Sequence, residues 1–395
     1  MFEYDVCIVG GAGHVGLPLG LVFASKNQRV ILYDVNKQAM DIVGQGQMPF
    51  IEYEAEPVLR KVINKTLFLS NDIQSISKAR FVVIAIGTPV DEYLNPKLRA
   101  LLDLFTKLHP YLNNQQTIVI RSTVYPRTCM QILQSLEKMG GGPWHVAYCP
   151  ERIVQGYAVK ELATLPQLVS GLSERALHDV TNLFSIIAPS VIKVTIGEAE
   201  LSKLFSNAWR YIQFAVANQF YMIAQDFDVD FTKIRQAMVE SYGRAADLPT
   251  AGFAAGPCLL KDTMQLFAFN NNNFPLEQAA MNVNEGLPGF IVDQLRQEYD
   301  LSHKKVGILG MAFKADIDDI RDSLSYKLGK ILRFHGATVL YSDEFAHDPT
   351  FISKEELAAS SDIVIVGVPH SAYKQLQIPK EVEVVDLWGV ISSEV

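Results

Sequence analysis

Cysteine, positive charge and long apolar runs are all scarce in this sequence, and each shortage excludes a class of protein. Its 395 residues include four cysteines, with no CxxC pair and no metal-ligand spacing, which excludes a disulfide scaffold and predicts no metal site. The net charge of −8 argues against a nucleic-acid partner. No apolar run reaches the roughly 18 residues that span a bilayer, so we expect no membrane association.

The beginning of the chain and three of its cysteines indicate the compartment. The opening MFEYDVCIVGG has no basic segment followed by an apolar one, which is typical of a first strand and not of a signal peptide. Cys7, Cys129 and Cys149 are interpreted as buried thiols under reducing conditions. We therefore expect a cytoplasmic protein.

Short apolar runs alternate with helical patterns at both ends of the chain, which is typical of buried parallel strands. The first part contains VCIVG, RVILYDV, ARFVVIAIG, QTIVIRS and HVAYCP, and the last part contains KKVGILG, ATVLYSD, SDIVIVGV and VEVVDL. Between them the pattern predicts one long helix over 198–226 and a second helical run over 275–299, interrupted at Gly286 and Pro288.

This alternation predicts an α/β fold with two Rossmann-like parallel-sheet domains, joined by a helical middle domain that contains a long central helix. The expected domain boundaries are 1–197, 198–300 and 301–395.

A glycine motif follows the first predicted strand. Gly11, Gly13 and Gly16 form GxGxxG before an apolar helix, whose free N–H groups favour a pyrophosphate. About twenty residues later Asp34 follows a strand, where its carboxylate would bind a ribose 2′-hydroxyl and repel a 2′-phosphate. The motif predicts an NAD site, and its alternative is a glycine turn that binds nothing. The second α/β domain has only Gly307 and Gly310, which indicates a mononucleotide site or none.

The segment GEAELSKLFSNAWRYIQFAVANQF places four polar residues on one face of an apolar helix, at spacings of three, four and three residues: Glu200, Lys203, Asn207 and Arg210. Burial of a lysine and an asparagine without partners is costly. The stripe is therefore either a solvated face with a Glu–Arg pair, or a site in which Lys203 and Asn207 point at a reacting oxygen.

Cys258 follows small residues in TAGFAAGPCLLKDTMQ. If LLKDTMQLFAF is helical, Cys258 lies at a helix N-terminus, which favours a thiolate, and Asp262 lies one turn later, where it could position a water. The alternative is a buried cysteine in a loop.

Three predicted strands end in small polar or charged residues, and such ends bind ligands in open α/β sheets. These residues are Gly87, Thr88 and Pro89 in GTP, Ser122 and Thr123 in STV, and Glu151 and Arg152 in PER. In the last domain Lys314 and Arg321 are interleaved with four aspartates, which indicates either a solvated charge run or two cations that face phosphates.

In order along the chain, the motifs GxGxxG, GTP, STV, PER, ELxKLxxN, GPCLxKD and FKxDxDDxRxS resemble those of the nucleotide-sugar 6-dehydrogenases, the family of UDP-glucose and UDP-N-acetylhexosamine dehydrogenases. The resemblance covers almost the whole chain and implies an NAD-dependent oxidation of a UDP-sugar by a homodimer. It also implies a nucleotide-binding last domain and a dimer formed by the middle helix.

The resemblance implies roles for individual residues. The catalytic set is Cys258 as nucleophile, Lys203, Asn207, Asp262, Glu151 and Thr123. The NAD set is Gly11, Gly13, Val15, Gly16, Asp34, Thr88, Ser122 and Arg321. The substrate set is Glu151, Arg152, Lys203, Asn207, Arg244, Gly252, Gly256 and Lys314.

Two segments depart from the family pattern. The loop 250–256 has alanines where the family has more glycine, and alanine resists a positive φ, so we expect a different backbone path there. The segment after Thr88, VDEYLNPKLRALLDLF, is less polar than usual. Arg152 in PER favours the amino-sugar branch, so a UDP-N-acetylhexosamine of the GlcNAc or ManNAc type is the first choice of substrate.

Three alternatives remain open at this point. The chain could be a UDP-glucose 6-dehydrogenase, a hydroxyacid or polyol dehydrogenase that performs a single two-electron oxidation, or an NAD-binding protein without catalysis. The intact set of Cys258, Lys203, Asn207 and Asp262 argues against the last of these.

Overall fold

The computed structural model describes residues 2–88 and 97–391, so Pro89 and most of the unusual segment after Thr88 lie outside the described residues. The chain divides into two compact units, Met1–Phe205 and Ser206–Val395. Among the described helices, none combines the length and the apolar character needed to cross a bilayer.

The first unit contains an eight-stranded sheet in the order β3-β2-β1-β4-β5-β6-β7-β8. Its strands are β1 (Tyr4–Val9), β2 (Val30–Tyr33), β3 (Leu67–Ser70), β4 (Ala79–Ile84), β5 (Thr117–Ile120), β6 (His145–Tyr148), β7 (Gln167–Gly171) and β8 (Val191–Lys193). Pairing is parallel except between β6 and β7. The central strands are buried on both faces, which explains why they are continuous apolar runs in the sequence.

Seven helices lie entirely within the described part of the first unit and connect its strands: α1 (Gly16–Ser25), α2 (Lys37–Gly44), α3 (Ala55–Val62), α4 (Leu98–Leu108), α5 (Thr128–Met139), α6 (Ala158–Thr164) and α7 (Glu174–Phe184). The long helix α8 (Ile196–Asp226) begins in the first unit and ends in the second.

The second unit contains a four-stranded parallel sheet in the order β10-β9-β11-β12. Its strands are β9 (Lys305–Leu309), β10 (Thr338–Ser342), β11 (Ile363–Val366) and β12 (Glu383–Val385). Its remaining helices are α9 (Phe231–Val239), α10 (Leu259–Phe269), α11 (Pro275–Glu298), α12 (Leu324–Phe334) and α13 (Lys354–Ser360).

The expected fold class is confirmed: both sheets are Rossmann-like, and α8 has 31 residues. The expected break at Gly286 and Pro288 is wrong, because α11 continues through both residues. An internal proline costs a helix about 3 kcal/mol. Here Leu287 and Ile291 are buried on either side of Pro288, and their burial offsets that cost.

Candidate active site

The glycine motif forms a close turn between β1 and α1. The positive φ of this turn, 84°, belongs to Gly10 and not to Gly11, to which the motif assigns the tight turn. A Cβ on Gly11 would lie 2.6 Å from Leu32 Cβ, and one on Gly16 would lie 2.2 Å from the Gly10 carbonyl oxygen. A Cβ on Gly13 would meet only the Gly10 oxygen, at 3.5 Å. The turn is therefore packed on its inner side and open at Gly13, the position where a pyrophosphate must approach the backbone.

Asp34 follows β2 directly and faces this turn. Its Oδ2 accepts a hydrogen bond of 2.9 Å from the Ala12 N–H, and its Oδ1 accepts one of 2.9 Å from the Asn36 N–H. Val15 is the N-cap residue of α1 and packs against the apolar core of this unit. The residues expected to hold NAD at the adenosine and pyrophosphate thus lie together, and the cradle that they form fits that cofactor.

The ends of β4 and β5 lie side by side, since the two strands pair in parallel. Beyond them Thr88 and Thr123 are half-buried, and Ser122 is buried. The Ser122 hydroxyl donates to the Ile86 carbonyl at 2.7 Å, so it joins the two strand ends. Among these small polar residues, Ser122 therefore fixes the sheet edge on which Thr88 and Thr123 lie.

Glu151 and Lys203 form a buried ion pair in the first unit. Glu151 Oε1 lies 2.8 Å from Lys203 Nζ, and the two side chains are 12% and 7% exposed. Glu151 Oε2 also accepts from the Ile153 N–H at 3.1 Å. Two of the expected site residues, from the PER loop and from α8, are thereby brought together with a fixed geometry.

Arg121, which the motif analysis missed, binds the backbone at the beginning of this loop. Its side chain is buried, and Nη1 donates to the carbonyl oxygens of Cys149 at 2.9 Å and Pro150 at 3.2 Å, and to Gln167 Oε1 at 2.7 Å. Burial lowers the pKa of the Arg121 guanidinium, and the Glu151 carboxylate opposes that change. The signal in the sequence was a charged residue directly after the apolar run TIVI.

The polar stripe of α8 is used mainly for buried contacts. Glu200 accepts from the Arg127 N–H at 2.7 Å and the Cys129 N–H at 3.0 Å, and so caps α5. The interpretation as a solvated face with a Glu–Arg pair is wrong, because Glu200, Lys203 and Asn207 are buried. Among the four residues of the stripe, Arg210 alone is exposed.

Cys258 lies at the N-terminus of α10, and its thiol is exposed. The alternative of a buried loop cysteine is therefore wrong. One turn later the Asp262 carboxylate is fully buried; its Oδ2 accepts from Asn207 Nδ2 at 2.6 Å, and its Oδ1 lies 3.0 Å from Lys261 Nζ. Within the second unit, the expected thiol, carboxylate and amide thus lie at the first turn of α10.

The other three cysteines are buried, as expected, and none of the four is in a disulfide. Burial raises the pKa of Cys7 and of Cys149 to about 12, and burial also raises the pKa of Cys129. These thiols remain protonated and unreactive, which leaves Cys258 as the accessible thiol.

The loop before Cys258 needs positive φ only at its two glycines, Gly252 and Gly256, at 155° and 96°. None of its alanines has a positive φ, so they impose no strain on this path. A Cβ on Gly252 would lie 2.2 Å from the Trp388 ring. The buried Asn218 of α8 holds Gly252 by both backbone groups, accepting from its N–H at 2.8 Å and donating to its carbonyl at 3.0 Å.

The remaining charged residues differ in their environment. Arg321 is paired with Asp319, whose Oδ1 accepts from Nε at 2.9 Å. Lys314 is half-buried in the loop after β9, whereas Arg244 is exposed in the segment between α9 and α10. Arg152 is exposed and donates to the Pro166 carbonyl.

Three domain models of one family match the chain. They are the NAD binding domain of the UDP-glucose/GDP-mannose dehydrogenase family over 4–188, its central domain over 197–286 and its UDP binding domain over 307–393.

Relatives and solved structures are similar along nearly the whole chain. A UDP-N-acetyl-D-mannosamine dehydrogenase of Pyrococcus horikoshii is 25% identical over 93% of this chain and 90% of its own length. A UDP-glucose 6-dehydrogenase of Haloferax volcanii is 28% identical over 85% and 82%. The structure of a UDP-glucose dehydrogenase from Pyrobaculum islandicum has a TM-score of 0.90 at 25% identity, covering 98% of this chain and 94% of its own. The chain thus belongs to the UDP-glucose/GDP-mannose dehydrogenase family and is an NAD-dependent nucleotide-sugar dehydrogenase.

Proposed function

We propose that this enzyme oxidises the 6-hydroxyl of a UDP-N-acetylhexosamine to the carboxylate, through an aldehyde held on Cys258. The observation that carries the proposal is the exposed Cys258 at the N-terminus of α10, one turn before the buried pair of Asp262 and Asn207. The substrate class is supported by the names of relatives, several of which are UDP-N-acetyl-D-mannosamine dehydrogenases. Arg152 of the PER motif is the feature of this chain that favours an amino sugar.

The reaction requires two oxidations at one carbon. NAD, when bound, accepts a hydride in each of them. After the first, the Cys258 sulfur adds to the aldehyde carbon, and the new C–S bond keeps the reactive aldehyde from escaping. Loss of the second hydride and of the hydroxyl proton leaves a thioester. Water then adds to that carbon, the C–S bond breaks with the electron pair returning to sulfur, and the carboxylate is released.

We assign the electrostatics of these steps to groups of the chain itself. The α10 N-terminus stabilises negative charge on the sulfur. Lys203 and Asn207 are donors, and we assign to them the stabilisation of the oxyanion on the reacting carbon. An aspartate carboxylate only accepts hydrogen bonds, so Asp262, with Thr123, is assigned the orientation of the attacking water.

Glu151 fixes the ammonium of Lys203 through their ion pair, which supports its place beside the substrate. The further substrate contacts that we propose are Arg152, Arg244, Gly252, Gly256 and Lys314. The NAD contacts that we propose are Gly11, Gly13, Val15, Gly16, Asp34, Thr88, Ser122 and Arg321.

UDP-glucose is the second candidate substrate, since relatives of comparable similarity include a UDP-glucose 6-dehydrogenase. The two sugars differ at C2, where the amino sugar has an acetamido group. Relative kcat/KM values for the two UDP-sugars decide between these candidates.

Three properties of the whole enzyme complete the proposal. Residues 1–197 bind NAD, 198–300 form the central and dimerisation domain, and 301–395 bind the UDP-sugar. The enzyme is a homodimer, which is supported by an exposed apolar face on α8. It acts in the cytoplasm, which is supported by four cysteines without a disulfide.

The first test measures NADH released per UDP-sugar consumed, with UDP-N-acetylglucosamine, UDP-N-acetylmannosamine and UDP-glucose in parallel. We expect two NADH per sugar and a uronate product by mass spectrometry. A ratio of one would instead identify a two-electron dehydrogenase, and no NADH with any UDP-sugar would identify a binding protein. In the same assay Cys258→Ser should form uronate at least about 10³-fold more slowly while it retains UDP-sugar binding by calorimetry. Rapid full conversion by this variant would refute the covalent step.

A further inference from the structure

Three loops meet at the carboxyl edge of the four-stranded sheet of the second unit. The loop after β9 carries Lys314 and Asp316. The loop after β10 begins with Asp343, and the loop after β11 carries His370. His370 is fully buried and bonds to both of the other loops. It has no place in the motifs described above, yet it is the side chain that joins these three segments.

The hydrogen bonds define the tautomer of His370. The Asp316 backbone N–H donates to Nδ1 at 2.9 Å, so Nδ1 must be the acceptor nitrogen of the ring. The proton therefore lies on Nε2, which donates to Asp343 Oδ2 at 3.1 Å. A neutral ring of this tautomer satisfies both neighbours, so each bond depends on one identified nitrogen.

Asp343 is anchored independently of the histidine. Its Oδ2 also accepts from the Met311 and Ala312 N–H groups, and its Oδ1 accepts from those of Phe345 and Ala346. Burial alone would raise the pKa of the Asp343 carboxyl, but hydrogen bonds from His370 and the backbone lower it to about 2. Asp343 is therefore a fixed carboxylate that orients His370 through Nε2. The other ring nitrogen, Nδ1, can then hold a group on a different loop.

Asp316 is that group. It has a φ of 58°, and its Oδ1 accepts from the Ser371 N–H at 2.8 Å and from the Ser371 hydroxyl at 3.0 Å. The aspartate is thus held by His370 at its backbone and by Ser371 at its side chain. Lys314 lies two residues earlier in the same loop, so a fixed Asp316 backbone restrains the backbone at Lys314.

We propose that His370 is a positioning residue for the nucleotide-sugar, which it serves by holding the Asp316 N–H and thereby the loop that presents Lys314. The inference rests on the proposed function, in which Lys314 contacts the substrate. His370 does not touch the reacting carbon, so its loss weakens substrate binding and leaves the chemical steps unchanged.

Two substitutions separate the two ring nitrogens. His370→Asn places an amide oxygen near the position of Nδ1 and retains an acceptor for the Asp316 N–H. His370→Gln places an amide nitrogen near Nε2 and retains only the donor to Asp343. An unsatisfied, partly buried N–H weakens the state that contains it, so we expect His370→Gln to raise KM for the UDP-sugar by about 10–100-fold. His370→Asn should raise it less than about threefold, and kcat and KM for NAD should remain within about twofold in both variants.

A double-mutant cycle with Lys314→Ala tests the route of the effect. If His370 acts through Lys314, then His370→Gln should change KM by less than about twofold once Lys314 is already alanine. Independent, multiplicative effects, or equal KM changes for the Asn and Gln variants, would overturn the inference. Should His370→Gln fail to fold, Ser371→Ala takes its place in the cycle, because it removes only the hydroxyl donor to Asp316.

The wild-type enzyme distinguishes this inference from the proposed function. Absence of UDP-sugar-dependent NADH formation by the wild type would refute the proposed function. Calorimetric titration of UDP into the wild type and both variants would still test the inference. A Kd for UDP that rises at least about tenfold in His370→Gln and little in His370→Asn supports it. Equal Kd values in the two variants overturn it.

Discussion

The Arg121 guanidinium is a charge placed in an apolar interior, over the Phe184 ring and among carbonyl oxygens. Burying a charge is costly unless it forms hydrogen bonds, so the acceptors of Arg121 indicate what this residue does. Its acceptors are the backbone of Cys149 and Pro150, the two residues that precede Glu151. We infer that Arg121 holds the beginning of the PER loop in place and so fixes the direction in which Glu151 leaves the sheet.

Replacement of this group should affect both stability and turnover. In Arg121→Met the carbonyls of Cys149 and Pro150 lose a charged donor, which we expect to lower the free energy of unfolding by about 1–3 kcal/mol. Because Glu151 orients Lys203, kcat should fall by about 10–100-fold, and Arg121→Lys should recover part of the loss. The measurements are thermal denaturation and steady-state NADH formation.

Arg29→Met serves as the matched control, since Arg29 is exposed and lies over the Tyr4 ring at 5.6 Å. Its loss should cost less than about 1 kcal/mol and leave kcat unchanged. A fall in stability without any change in kcat for Arg121→Met would show that Arg121 serves the fold alone.

At the residue scale, the sequence predicts side chains whose chemistry is tied to a motif and misses those that act through the backbone. Asp34, Cys258 and Asp262 stand at spacings that predict their positions relative to a strand or helix end. Arg121 and His370 bond mainly to main-chain groups or to residues distant in sequence. Such partners become visible only when the strands that carry them are placed in register.

At the scale of a single element, the loop before α10 depends on two glycines and tolerates its alanines. Gly252 combines a positive φ with contact against Trp388, and Gly256 combines one with contact against Phe313. Ala251, Phe253 and Ala254 are buried between and beside them. Packing of these side chains and the two hydrogen bonds between Asn218 and Gly252 therefore hold the loop on its path.

Alanine at Gly252 should disrupt this loop. Its Cβ would lie 2.2 Å from a Trp388 ring atom, and overpacking of this kind costs about 1–3 kcal/mol. We expect a lower midpoint of thermal unfolding together with a loss of uronate formation of about tenfold or more, because Cys258 is displaced.

Gly286→Ala is the matched control in the same unit. Gly286 is exposed within α11 and a Cβ there would meet nothing within 4 Å, so alanine should stabilise the protein by about 0.5–1 kcal/mol and leave activity unchanged. If Gly252→Ala were as stable and as active as this control, the assigned role of the loop would be wrong.

The periodicity of the sequence predicted α8 to within two residues at its start, and the helix that the position of Cys258 required is observed as α10. It missed the course of α11, where tertiary burial of Leu287 and Ile291 overrides a proline. The short strands β3, β7 and β8 were also not predicted from the sequence. The antiparallel pairing of β7 with β6 depends on contacts that no local pattern encodes.

At the scale of the whole molecule, α8 carries an exposed apolar stripe at spacings of seven, four and three residues, formed by Trp209, Val216, Phe220 and Ile223, and the exposed Phe227 follows directly after the helix. This period is that of a helix that packs along another helix. From Trp209 to its end at Asp226 the helix extends over about 26 Å, which is long enough for the central part of a dimer interface. A second copy of the same chain meets the requirement for a partner with a matching stripe.

Phe220→Asp should separate the two protomers of the proposed dimer. Phe220 lies in the middle of the stripe, and an unpaired carboxylate buried against apolar side chains is strongly unfavourable. We expect the dissociation constant measured by analytical ultracentrifugation to rise by at least about 100-fold, which corresponds to about 2.7 kcal/mol. Phe334→Asp is the matched control, because Phe334 is 85% exposed at the end of α12 and lies outside the stripe. Loss of the dimer in Phe220→Asp alone would assign the association to α8. A dimer that persists in Phe220→Asp but dissociates in Phe334→Asp would place the interface elsewhere.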